Sequence, residues 1–169
     1  MSFWRLYYHL TWSTKNREPM ISPAIEPRLF AYIVRKAAEL GGYVYAINGW
    51  VDHIHLVVAV PPKVALADFV KNIKGSSSHD LNQEAGLDYE FTGQRGYGVL
   101  SIGEKQRPIA IQYVRDQKQH HEDKTVHPWL ERCSDIDEGP DDPGIQEKSV
   151  PLVIRETGPF YELTGDVPF

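Results

Sequence analysis

The spacing of hydrophobic positions changes along the chain, and each change marks an element. Residues 5–13 alternate, with Leu6, Tyr8, Leu10 and Trp12 on one face, so they predict a strand. A polar exit loop at 14–19 follows. Ser22 then reads as an N-cap, with Pro23 in the first turn of a helix that reaches Leu40 and stops at Gly41-Gly42. Residues 43–50 and 53–60 predict two more strands, joined by a short hairpin at 49–52. Pro61-Pro62 closes the second, because proline has no amide hydrogen to give the ladder. Leu66, Phe69, Val70 and Ile73 fall at helical spacing within 64–83. Residues 96–102 predict a fourth strand, and Pro108 opens a last helix reaching Glu122. The order β-α-β-β-α-β-α predicts an α+β protein. Its core is a ferredoxin-like or RRM-like antiparallel sheet with helices on one face, plus one extra helix.

Composition narrows the class. The chain has 169 residues, 41% of them hydrophobic, which fits one folded domain and argues against wholesale disorder. Cys133 is the single cysteine, so an intrachain disulfide and a multi-cysteine zinc site are both excluded. No apolar run approaches the roughly 20 residues needed to span a bilayer. The first residues lack the layout of a secretory signal, so the expectation is a cytoplasmic protein without a membrane partner. The net charge of -5 is unevenly placed: +2 over residues 1–124 and -7 over 125–169. That asymmetry predicts a mildly basic domain at 1–124 followed by an acidic carboxyl-terminal extension at 125–169. Within the extension, 135–144 reads as a breaker-rich linker. Residues 150–155 and 159–163 read as short strands or a docking tail.

Two constellations carry chemistry. In Asp52-His53-Ile54-His55-Leu56-Val57-Val58, both histidines project from the same face of a strand, because side-chain direction has a period of two. Taken alone, such a pair is as much a structural feature as a functional one. In the last helix, Tyr113, Gln117, His120 and His121 form one stripe, where a buried face would carry leucine or isoleucine. Taken alone, the stripe is equally an exposed helix surface. Together they say more. Gln117 would add an oxygen to His53 and His55, and a His-His-Gln set with open positions suits Mg²⁺ or Mn²⁺ rather than a closed structural zinc site. Tyr113 lies one turn from Gln117, placing a phenol nucleophile beside a cation that polarises a phosphate.

These residues resemble the single-tyrosine HUH transposases of small insertion sequences (transposase IS200-like), with their REP-associated relatives. The resemblance rests on Tyr8-His9-Leu10-Thr11-Trp12-Ser13-Thr14-Lys15-Asn16-Arg17, on the segment 52–58 and on Phe69-Val70-Lys71-Asn72-Ile73-Lys74-Gly75-Ser76-Ser77. It continues through Gly96-Tyr97-Gly98-Val99-Leu100-Ser101-Ile102 to Tyr113-Val114-Arg115-Asp116-Gln117 and the histidines after it. It implies a metal-dependent DNA transposase that cleaves and rejoins single-stranded DNA with hairpin ends. Tyr113 would form a 5′-phosphotyrosine, and His53, His55 and Gln117 would ligate the metal. Many such proteins are homodimers, whereas REP-associated members can act as monomers. One departure is Thr92-Gly93, where relatives often carry an aromatic residue.

Lys15, Arg17, Lys71, Lys74 and Arg95 are candidate phosphate contacts, set against ordinary solvated charge. His120 and His121 are candidate outer-sphere partners of the metal site or DNA contacts, set against simple exposure. His9, on a strand face with Tyr7 and Thr11, reads as packing, and Asp52 as either an orienting group for a histidine or a hairpin closure. Trp4, Trp12, Trp50 and Tyr97 are read chiefly as core, with base stacking as the functional alternative. The competing function is a catalytically silent or domesticated relative that binds DNA hairpins as a regulator. An RRM-like RNA binder fits less well, since that reading wants exposed aromatics where polar candidate ligands stand here.

Overall fold

The computed structural model describes residues 3–84, 86–134 and 139. Its elements are β1 (Tyr7–Ser13), a 3-10 turn (Lys15–Arg17), α1 (Glu26–Glu39), β2 (Tyr43–Gly49), β3 (His53–Ala59), α2 (Leu66–Glu84), β4 (Gly98–Ile102), α3 (Arg107–Arg115) and α4 (Gln117–Glu122). By its contacts the chain divides into Met1–Glu138 and Gly139–Phe169, and the elements all belong to the first unit. The strands expected at 150–155 and 159–163 lie outside the described residues. No helix among the described residues is long and apolar enough to cross a membrane.

The strands form one antiparallel sheet in the order β2-β3-β1-β4. Alternation sorts their side chains onto two faces. Leu10, Trp12, Ile54, Leu56 and Val58 meet Leu29, Ile33 and Ala37 of α1 and Phe69, Val70 and Ile73 of α2 in the main core. Each of the larger side chains there contributes roughly 1.5–3 kcal/mol by burial. On the other face, Ala46 and Val57 pack under Val114 of α3 in a smaller core. β3 is thus covered on both sides, and all seven of its residues are buried. This double covering carries the two histidines of β3 out of solvent.

Two expected boundaries move. The expected helix start at 22–23 gives way to a turn, in which the Ile25 and Glu26 amides both donate to the Ser22 carbonyl. Ile21 and Ile25 are buried, so the chain bends inward before α1 can begin, and Pro27 occupies the first turn instead. The far end behaves as read: Gly41 takes φ +82, the left-handed conformation that stops the helix. The single helix expected over 108–122 breaks at Asp116, whose φ -91 and ψ 11 separate α3 from α4. The Gln112 amide donates to the Asp116 carboxylate at 2.7 Å, and Asn48 of β2 donates to the Arg115 carbonyl at 2.8 Å. Pinned there, the chain turns Gln117 inward until it is fully buried.

Candidate metal and tyrosine site

Register brings the first group of residues together. Thr11 pairs with His55 and Ser13 with His53 across β1 and β3, while His9 lies one alternation away on the same face. His53 and His55 are 2% and 0% exposed. Buried imidazoles need partners, and each has one on its outer nitrogen. His53 Nδ1 donates to Asp52 Oδ1 at 2.6 Å, and Arg17 holds the other Asp52 oxygen at 3.3 Å. His55 Nδ1 shares a hydrogen bond with His9 Nε2 at 2.9 Å, the two rings stacked 5.0 Å apart. Asp52 therefore orients a histidine, and His9 does the same work as well as packing.

The inner nitrogens converge on a carboxylate that sequence reading placed outside the core, Glu131. Its Oε2 accepts from His53 Nε2 at 2.9 Å and from His55 Nε2 at 3.1 Å. Its Oε1 accepts from the Tyr113 hydroxyl at 2.7 Å and from Gln117 Nε2 at 3.3 Å. The His127 amide donates to the Tyr113 oxygen at 3.1 Å. One carboxylate thus bridges the phenol, the amide and both imidazoles. The residues singled out in sequence, Tyr113, His53, His55 and Gln117, surround a single point within one chain.

Electrostatics follow from this crowding. Burial opposes ionisation of Glu131, yet the hydrogen bonds from His53 and His55 hold its carboxyl far below the usual carboxylate range. Burial likewise opposes protonation of His53, but the Asp52 and Glu131 carboxylates outweigh it and raise its pKa. His55, buried more deeply, is lowered. Burial, with the Glu131 carboxylate beside it, pushes the Tyr113 phenol up to about 12. His9 is lowered from 6.5 to about 3 by burial and then by the neighbouring His55 charge.

His9 makes a prediction for the metal-free protein. Its folded pKa lies below its unfolded value, so the unfolded chain binds more protons between the two. The stability from keeping His9 neutral is full above about 6.5 and is lost as pH falls toward 3. At full extent the term is on the order of 5 kcal/mol. His9→Gln removes the proton uptake while keeping a hydrogen-bond donor for His55. Urea unfolding at pH 6.5 and 5.0 is expected to show wild type losing more stability than the variant, approaching about 1.4 kcal/mol per pH unit at most. Equal losses would refute the account.

The remaining candidates separate by contact. His121 stacks on Trp50, with centroids 5.0 Å apart and planes at 8°, and its Nε2 lies 3.1 Å from His53 Nε2. His120 stacks on Tyr113 at 4.8 Å and meets Thr125 Oγ1 at 3.0 Å. Trp12 is core. Lys15, Lys71 and Arg95 are exposed. Arg17, also exposed, contacts Asp52, the Glu131 carbonyl and Cys133. Lys74 gives its ammonium to the carbonyls of Gln94 and Gly96, fixing the loop before β4.

The donor set fits a divalent cation. His53, His55 and Glu131 each offer one ligand atom, all within 4.8 Å of one another. Gln117 Oε1 is buried without a hydrogen-bond partner, an orphaned acceptor on the same amide whose Nε2 donates to Glu131. Such an atom is costly unless it faces a donor or a cation.

Comparison with known proteins identifies the fold and the family. A solved structure from Deinococcus radiodurans, described as a transposase, shares the fold with a TM-score of 0.56 and 26% identity, over 69% of this chain and 93% of that one. A REP-associated tyrosine transposase, solved bound to a REP hairpin, has the same fold at TM-score 0.55 and 15% identity, over 82% of this chain and 95% of its own. The fold is therefore that of the tyrosine transposases. The sequence pattern of the family described as "Transposase IS200 like" matches residues 2–117, and the chain belongs to that family. It is 33% identical over 119 residues to the ISDra2 transposase TnpA of D. radiodurans, covering 68% of this chain and 85% of the relative. It is 28% identical over 120 residues to the transposase for insertion sequence element IS200 of Salmonella typhimurium, covering 68% and 78%. The family match includes Tyr113 and Gln117; Glu131 lies beyond it.

Proposed function

We propose that this transposase cleaves and rejoins single-stranded DNA with hairpin ends through a 5′-phosphotyrosine on Tyr113. The observation that carries this reading is that one carboxylate spans the Tyr113 hydroxyl and both imidazole Nε2 atoms. The gap between nucleophile and imidazole pair is thus the width of two oxygens on one central atom. A phosphoryl group has the same reach.

In this reading the Tyr113 oxygen attacks phosphorus and loses its proton, and the bond from phosphorus to the 3′ oxygen breaks. The 3′ oxygen leaves as a hydroxyl, and the phosphate stays joined to the tyrosine and to the 5′ end of the downstream strand. Rejoining reverses the roles: a 3′-OH attacks the phosphotyrosine and the phenol regains its proton. No external energy source is needed, because an ester is exchanged for an ester. His53, His55 and Gln117 would hold Mg²⁺ or Mn²⁺, which would supply Lewis-acid polarisation of the phosphate. His9 and Asp52 fix the orientation of the two imidazoles. The exposed Lys15, Arg17, Lys71 and Arg95 are the available contacts for the DNA backbone. A homodimer, which the family resemblance implies with the tyrosine helix of one subunit completing the other's site, would bring two such sites together.

The test is a denaturing gel. Full-length protein incubated with a 3′-labelled hairpin oligonucleotide from its genomic flanks and Mn²⁺ is expected to give a labelled band at protein-plus-DNA mass. Chelation with EDTA is expected to remove the band. Hairpin binding without any adduct, across a panel of flanking sequences, would favour the silent, binding-only relative.

A further inference from the structure

We infer that Glu131 is a further protein ligand of the divalent cation, beside His53, His55 and Gln117, so that the segment following the tyrosine helix completes the metal site. The inference rests on the reading of this cluster as a metal site and adds to it a residue outside the family match.

Glu131 reaches the centre because its backbone is fixed independently of its side chain. Arg17 Nη2 donates to the Glu131 carbonyl at 3.2 Å, and Tyr97 bridges to Ser134 beside β4. Gly98 makes room for the strand of chain between them. A Cβ at that position would strike the Arg132 carbonyl and come within 2.8 Å of the Thr11 methyl. The sequence thus allows the segment to lie over the site.

The geometry of the ligand atoms is compatible with coordination. In an octahedral site with metal–ligand bonds of about 2.1 Å, neighbouring ligand atoms stand about 3 Å apart. Glu131 Oε2 lies 2.9 Å from His53 Nε2 and 3.1 Å from His55 Nε2, so both edges already have the required length. The chemistry agrees. Two imidazoles and an amide carry no formal negative charge when they act as ligands, whereas Mg²⁺ and Mn²⁺ favour carboxylate oxygen. Two histidines and one carboxylate form a familiar three-ligand face that leaves other positions open. Asp52 and His9 on the outer nitrogens supply the hydrogen-bonded support that such ligands require. Gln117 Oε1, buried and unpartnered, is one further acceptor in the same cluster. A phosphate that takes the Tyr113 side of the gap would displace the Oε1 contacts with Tyr113 and Gln117 and leave Oε2 to the cation.

The rival for the same geometry is a carboxylate that blocks the site by hydrogen bonds alone. Mn²⁺ binding to the full chain, without DNA, separates the two and can be followed by the electron paramagnetic resonance of free Mn²⁺. Wild type is expected to bind Mn²⁺, and His55→Ala to lose it. Glu131→Gln, which preserves volume and the Arg17 contact, is expected to weaken binding by at least about tenfold, the loss that even an outer-sphere partner can produce. Glu131→Asp is expected to recover part of it, with circular dichroism confirming that each variant is folded. A Glu131→Gln protein that binds Mn²⁺ like wild type and gives more DNA adduct overturns the ligand assignment and leaves the His53–His55 metal site standing. A folded wild-type chain that binds no Mn²⁺ overturns both.

Discussion

Tyr113→Phe is expected to eliminate the covalent protein–DNA adduct while leaving the protein folded and able to bind hairpin DNA. The substitution removes one oxygen and keeps the ring, which sits 6.2 Å from the rings of both His9 and His55 and 4.8 Å from that of His120. The lost hydroxyl makes one hydrogen bond to Glu131 and accepts one from the His127 amide. Both involve groups within reach of water, so the stability cost is about 1 kcal/mol. The chemical cost is complete, because a ring carbon cannot form the ester. The measurement is the labelled band on a denaturing gel, read beside hairpin retention on a native gel. An adduct that survives the substitution would move the nucleophile elsewhere. The wild-type reaction also has an expected pH dependence. Burial and the Glu131 carboxylate push the phenol up to about 12, so phenoxide is scarce at neutrality. The initial rate of adduct formation should therefore rise as pH rises through the neutral range.

The parts of this site that were legible in sequence are those set by local periodicity. His53 and His55 share a face because a strand alternates, and Tyr113 and Gln117 share one because a helix turns in 3.6 residues. Those two rules name four residues, and the fold then brings them together. The element order was legible for the same reason, since each stretch has its own period and its own breakers. Placement depends on more. The start of α1 shifted to Glu26 because burial of Ile21 and Ile25 outweighed a good capping residue at Ser22. The helix break at Asp116 depends on Asn48 reaching the Arg115 carbonyl from a strand far away in sequence. Glu131 was hidden more thoroughly. It sits in a short irregular stretch with no period, between a turn and an acidic linker. Its position is set by Arg17, Tyr97 and Gly98, none of them near it in the chain. Counting charge at the carboxyl end makes Glu131 one of many acids. Only tertiary contact distinguishes it. His9 was similarly half-read: alternation gives its face, but the pairing that brings it to His55 requires the register of β1 against β3.

His55→Ala is expected to lower adduct formation by about a thousandfold and His121→Ala by far less, although both histidines belong to one cluster. His55 is fully buried, and both of its ring nitrogens are engaged, by His9 on one side and Glu131 on the other. Its loss would remove a ligand, orphan a buried nitrogen on His9 and open a cavity beneath α3. Removing one preorganised electrostatic partner of a transition state costs roughly 10²–10³-fold, and the metal's own contribution is lost with it. Stability should fall as well, by about 2–4 kcal/mol from the cavity and the unsatisfied group together. His121 differs in kind. Its side chain keeps 19% exposure, its ring leans on Trp50, and its Nε2 stands 3.8 Å from Glu131 Oε2. Truncating it removes a stacking contact and leaves the His53–Asp52 and His55–His9 pairs intact. The decisive readout is adduct rate per folded molecule at saturating Mn²⁺, with the folded fraction taken from urea unfolding of each variant. Equal losses for the two substitutions would mean that His121 ligates the cation alongside His53, and the inner boundary of the site would have to be redrawn to include α4.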